Sequence, residues 1–171
     1  ASSEVRNSIL YATILVILLA LWRIRELLST VDDQAVLLDQ QARTDALTGL
    51  PNRRTLDYQL ERAVSFADRK GTPLTIAMLD LDHFKAYNDT HGHQAGDALL
   101  TACARAWQAA APTGSFLARY GGEEFAILLP GLDAEAAGPH LERLRQATPG
   151  SVTVSIGYFV PDGEAVIWRG P

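Results

Sequence analysis

The chain has 171 residues, 47% of them hydrophobic, and a net charge of −5. That length suits one domain with an appendage. The acidic balance argues against nonspecific nucleic-acid binding, so no nucleic-acid partner is expected, yet it leaves room for a nucleotide site built from a few local donors and a metal.

The first residue is Ala1 rather than Met, so the chain is expected to begin inside a longer protein. Ser8 to Trp22 carries no charge and is mostly Ile, Leu, Val and Ala. It is short of the about 20 residues of a usual membrane span. Polar flanks can snorkel, however, and Tyr11 and Trp22 suit the two interfaces. Arg23 and Arg25 follow, which places the next segment on the cytoplasmic side. Residues 1–23 are therefore expected to be a transmembrane helix. The protein would be a single-pass protein of the cell inner membrane, with the membrane as a partner and its main domain cytoplasmic. A signal peptide and a buried core helix are the rival readings, but no Ala-x-Ala-like cleavage site follows the run.

Residues 24–43 read as a coiled-coil signalling stalk. Ile24, Leu28, Val31, Ala35, Leu38 and Ala42 are spaced 4-3-4-3-4, a heptad seam weakened by two alanines. A solvated amphipathic helix is the competing reading.

Thr44 to Pro51 breaks the helix, and Asn52 can cap a new one from about Arg53 to Arg69. Leu74 to Leu79 is nearly all apolar and predicts a buried central strand. Phe84 to Thr90 predicts a short helix and Ala95 to Ala111 a longer one that buries the lone cysteine, Cys103. Ser115 to Tyr120 and Phe125 to Leu129 predict a hairpin. Asp133 caps a helix through about Gln146, which Gly138-Pro139 is expected to disturb. Ser151 to Tyr158 alternates as a strand. Helices between strands with a central hairpin give an α/β sandwich.

Three places carry candidate chemistry. Gly121-Gly122-Glu123-Glu124-Phe125 puts two carboxylates on a glycine turn, which suits a hard cation and lets phosphate approach backbone. An ordinary hairpin with solvated glutamates is the bland alternative. Asp80 ends the apolar strand, where α/β folds commonly place ligands. Asn88 and Asp97 offer the amide and carboxylate that read a guanine edge, and Lys85 offers a point charge for phosphate. His91 and His93 do not have the spacing of a helical zinc pair.

These motifs, in this order, resemble the GGDEF family of diguanylate cyclases. The matching runs are Asp45-Ala46-Leu47-Thr48-Gly49-Leu50-Pro51-Asn52-Arg53-Arg54, Asp80-Leu81-Asp82-His83-Phe84-Lys85-Ala86-Tyr87-Asn88-Asp89 and Gly92-His93-Gln94-Ala95-Gly96-Asp97. Arg119-Tyr120-Gly121-Gly122-Glu123-Glu124-Phe125 and Val154-Ser155-Ile156-Gly157 complete them. The resemblance runs from about Ala42 to Tyr158. It implies a fold like the palm of nucleotide cyclases and polymerases, over residues 44–171, preceded by the transmembrane helix and stalk. It implies an enzyme that condenses two GTP into cyclic di-GMP and two pyrophosphates across a homodimer held by the stalk. Asp80, Glu123 and the backbone carbonyl of Leu81 would hold Mg²⁺ or Mn²⁺. Glu123 would assist deprotonation of the ribose 3′-hydroxyl and Glu124 would support the site. Asn88, Asp97 and His93 would form the guanine pocket, and Lys85, Gly121 and Gly122 would meet phosphate.

Two departures matter. The family's inhibitory product site, Arg-x-x-Asp, falls here on Pro112-Thr113-Gly114-Ser115, so an inhibitory cyclic di-GMP site is not expected. After the last matched strand the family continues into a helix and a final strand. No such helix fits Phe159 to Pro171, so the domain is expected to lack both. A catalytically silent GTP-binding regulatory module is accordingly the alternative function.

Overall fold

The computed structural model describes residues 17, 19–23, 25, 43–150, 152–161 and 166–168. The chain divides into two units, Ala1–Ala42 and Arg43–Pro171. In the first, residues 17, 19–23 and 25 are helical.

The inner-membrane, single-pass placement is corrected. Among the described residues no helix is long and apolar enough to cross a membrane. The charge-free run Ser8 to Trp22 amounts to about 22 Å of ideal helix, against a hydrocarbon core of about 30 Å. The remainder of residues 1–23, and the stalk of residues 24–43 apart from Arg25 and Arg43, lie outside the described residues.

The second unit begins with a tight knot. The Asp45 N–H donates to the Leu50 carbonyl at 2.7 Å and the Gly49 N–H to the Asp45 carbonyl at 2.9 Å. Helix α1, Arg53–Lys70, follows, with the Asn52 side chain accepting from the Thr55 N–H and Gly71 closing it in the left-handed conformation.

Five strands form one sheet: β1 Leu74–Leu81, β2 Phe116–Gly121, β3 Glu124–Pro130, β4 Val154–Phe159 and β5 Val166–Trp168. Their order is β2-β3-β1-β4-β5, and every neighbouring pair is antiparallel. Strand β5 is an element the sequence reading did not place. Helices α2, Phe84–His91, and α3, His93–Ala110, follow β1, and α4, Ala134–Ala147, follows β3.

Both faces of β1 are covered, which explains its nearly unbroken apolar run. On one side Ala77, Leu79 and Leu81 join Leu100, Trp107, Phe125, Leu141 and Leu144 in the main core. On the other, Ile76 and Met78 pack with Leu56, Ala118, Ala126 and Leu128 beneath α1. Trp107 is fully buried, meets the Phe125 ring edge-on at 4.9 Å and donates its indole N–H to the Thr148 hydroxyl at 3.1 Å. Cys103 lies in this core, and burial pushes its thiol up to about 12.

Two boundaries differ from the sequence reading. Helix α3 starts at His93, because Gly92 at φ 84° lets the chain turn directly out of α2. Helix α4 continues through Pro139, since its buried stripe of Ala137, Leu141 and Leu144 holds it against the core.

Candidate functional site

Strand register brings the acidic residues together. Asp80 lies opposite Glu124 across β1 and β3, and opposite Ser155 across β1 and β4. With a period of two, Asp80 shares the face of Ile76 and Met78, beyond the apolar cover, where it is exposed. The Glu123 carbonyl accepts the Leu81 N–H at 3.4 Å, which ties the hairpin tip to the end of β1.

The turn itself is shaped by one glycine. Gly122 takes φ 52°, whereas Gly121 has no positive φ. The register shifts between Arg119 and Gly121, a bulge that sets Tyr120 out of the ladder. Arg53 lies over the Tyr120 ring at 4.3 Å.

Carboxylates directly opposite one another normally repel. Partial desolvation, then the negative charges of Glu123, Glu124 and Asp82, raise the exposed Asp80 carboxyl above its ordinary value. Among the described residues none of Asp80, Glu123 and Glu124 forms an ion pair. Nor do three His, Cys, Asp or Glu side chains among them make a preformed metal cage. Mg²⁺ does not need one, because it takes one or two carboxylates and fills its shell with water and substrate phosphate. A group of exposed and half-buried carboxylates with excess negative charge fits that habit.

Asp82, two residues on, has a different environment. Its carboxylate accepts the Thr153 hydroxyl at 2.5 Å and the Ser155 hydroxyl at 2.6 Å, and its N–H donates to the Thr153 carbonyl at 3.0 Å. It thus fastens the exit of β1 to β4. His83 follows in the left-handed region at φ 58°, the one non-glycine residue to do so among those described. That strained residue turns the chain from β1 into α2.

Asp45 is bound where Asp80 is not. Its carboxylate accepts the Thr48 N–H at 2.9 Å and the Thr48 hydroxyl at 2.6 Å, and Arg119 Nη1 at 2.9 and 3.1 Å. Burial would raise this carboxyl, but Thr48 and Arg119 outweigh it and hold it below its ordinary value. Arg119 also donates from Nε and Nη2 to the Gly122 carbonyl, at 3.1 and 2.8 Å. One guanidinium thereby joins the domain entrance to the signature turn.

The second group of expected site residues lies on α2 and α3. Asn88 sits in the last turn of α2, where its carbonyl accepts the Gly92 N–H at 2.8 Å. Its side-chain Oδ1 is buried without a hydrogen-bond partner. His93 opens α3 and Asp97 lies one turn later, both exposed, as is Lys85 on α2. A groove of about 630 Å³ runs between α1 and the start of β2, lined by Arg62, Phe66 and Phe116, and takes in none of these site residues.

Sequence reasoning found Asp80, Glu123 and Glu124 from the motif. It missed the work of Asp82 and Arg119. Asp82 and Asp45 were visible within the quoted runs, but their partners lie 71 to 74 residues away and needed the fold.

An antiparallel sheet with helices on both faces and an acidic tip at its central strand defines a recognisable class of domain. The chain belongs to the GGDEF family: residues 42–160 match the family described as diguanylate cyclase, GGDEF domain. It is 44% identical over 144 residues to the diguanylate cyclase DgcP of Pseudomonas aeruginosa, an alignment covering 76% of this chain and 22% of that protein. It is 33% identical over 143 residues to the diguanylate cyclase VdcA of Vibrio cholerae, covering 76% of this chain and 41% of that protein. The chain therefore spans well under half the length of these relatives. The crystal structure of the GGDEF domain of DgcB from Caulobacter crescentus, in complex with c-di-GMP, superposes with a TM-score of 0.66 at 39% identity, over 72% of this chain and 81% of that one.

Proposed function

We propose that the domain is a diguanylate cyclase that condenses two GTP into cyclic di-GMP and two pyrophosphates. Each ribose 3′-hydroxyl attacks the α-phosphate of the other nucleotide, one phosphodiester bond forms, and pyrophosphate leaves. The reaction occurs twice to close the ring. One domain holds one GTP, so two copies must face each other. The observation that carries this reading is the meeting of Asp80 with Glu123 and Glu124 at the end of the central strand.

In this reading Asp80, Glu123 and the Leu81 carbonyl hold Mg²⁺ or Mn²⁺. Such an ion, when bound, offsets phosphate charge and lowers the pKa of the attacking hydroxyl. Glu123 takes part in removing the 3′-hydroxyl proton, and Glu124 keeps the local field negative. Lys85 meets phosphate as a point charge. Gly121 has room for the same purpose: a Cβ there would meet nothing within 4 Å and its φ is ordinary, so the fold itself does not demand glycine. Asn88, Asp97 and His93 form the guanine pocket. Pro112 and Ser115 replace the charged pair of the inhibitory site, so tight product binding there is not part of the proposal.

Incubating the full chain with GTP and Mg²⁺ and assaying cyclic di-GMP tests the reading. Product formation that disappears in Glu123→Ala supports it. Saturable GTP binding with no product, in a protein shown to be dimeric, would point instead to a silent GTP-binding module.

A further inference from the structure

We propose that Gly96 is a positioning residue of the base site: the missing side chain on α3 is the seat of the Asn88 carboxamide. This deepens the GTP reading and rests on it. Gly96 is buried in the first turns of α3. It is helical, and no positive φ requires glycine there. In a helix interior glycine costs up to about 1 kcal/mol relative to alanine, so local structure favours almost any other residue. Space supplies the reason for its presence. A Cβ on Gly96 would fall 1.8 Å from Asn88 Oδ1, 2.9 Å from Asn88 Cγ and 3.2 Å from Phe84 Cζ.

The carboxamide is thus lodged against the bare backbone of α3, with Oδ1 enclosed and unpartnered. A buried acceptor without a donor is unfavourable, which marks Asn88 as placed for something other than stability. Its depth in the slot decides where the other end of the amide stands. Asp97, the next residue after Gly96, projects its carboxylate from the same turn. The Gly96 contact thus fixes where the Asn88 amide stands relative to the turn that carries Asp97, and an edge with matching acceptors and donors can be read by both.

The same geometry predicts a clean perturbation. The atom met first is the far end of a side chain, so an added methyl displaces Asn88 rather than unfolding α3. The test uses Gly96→Ala, Asn88→Ala and the double variant in the full chain, with GTP and ITP binding measured by calorimetry and Mn²⁺ binding as a control. Gly96→Ala is expected to weaken GTP binding by about tenfold, the scale of one lost hydrogen bond. It should weaken ITP binding by a similar factor, because hypoxanthine keeps the O6 and N3 acceptors that the Asn88 N–H can reach and lacks only a donor, and it should leave Mn²⁺ binding unchanged. In the Asn88→Ala background, adding Gly96→Ala should have no further effect. Wild-type GTP affinity in Gly96→Ala, or an equal loss in both backgrounds, would overturn the assignment while leaving the GTP reading intact. A wild-type protein that binds no GTP would sink both. If Gly96→Ala fails to melt cooperatively, recovery of the transition in the double variant supports the clash with Asn88, and absence of recovery refutes it.

Discussion

Asp45, in the loop that enters the domain, and Asp80, at the end of β1, are both aspartates, and they differ in partners and in charge environment. Asp45 accepts hydrogen bonds from Thr48 and Arg119 and is held below its ordinary pKa. Asp80 is exposed, faces Glu123, Glu124 and Asp82, and is raised by partial desolvation and by their charges. One carboxylate is satisfied by the protein. The other is left with an excess of like charge that a cation would relieve. The contrast separates an acid satisfied by the protein from one left with like charge, without reference to motif.

The largest expected effect is on turnover. Asp80→Asn or Glu123→Ala should lower cyclic di-GMP formation by at least about 10²-fold, assayed at saturating GTP. Asp45→Ala should leave the metal site intact, so a comparable loss of turnover at a temperature where the variant is folded would break the comparison.

Stability should move the other way round. Asp45→Ala or Arg119→Ala should cost about 1–2 kcal/mol in denaturant melts, because an entrance knot and the Gly122 carbonyl lose a shared donor or acceptor. Gly122→Ala should cost a similar amount, about 1–2 kcal/mol, since it forces a side chain into the left-handed region. Gly121→Ala should melt like the parent. Equal losses at both glycines would contradict the turn geometry.

The smallest effects are on pH. A depressed folded pKa means that Asp45 contributes stability above its unfolded value of about 3.9, and that this contribution is lost as pH falls through the folded pKa. A raised folded pKa gives Asp80 the opposite sign: its ionisation costs stability as pH rises from about 3.9 through its folded value. Asp80→Asn should therefore gain a few tenths of a kcal/mol at neutral pH, roughly 0.3, because solvent screens an exposed site. Adding Mg²⁺ should raise the melting temperature of the parent more than that of Asp80→Asn. A variant that loses stability instead would show that Asp80 has a structural partner.

Local signals carried much of the fold. Asn52 and Asp133 were readable as caps and both accept from helix N–H groups. The apolar run from Leu74 is the central strand because both of its faces are covered, a condition the run itself announces. A disturbance at Gly138-Pro139 was expected, yet the helix runs through it from Ala134 to Ala147, held by the tertiary packing of Leu141 and Leu144. The membrane reading rested on hydropathy over a run too short to reach across a bilayer.

By itself the sequence determined the identity of the carboxylates, the turn glycines and the helix caps, because each acts within a few residues of its own position. The tertiary structure alone decided what those groups face. Register set Asp80 against Glu124, chain return brought Thr153 and Ser155 to Asp82, and helix packing placed Asn88 on the bare backbone of Gly96. Charge repulsion, hydrogen bonding and steric fit act through space, so residues far apart in the chain acquire these roles only once the sheet and its helices have formed.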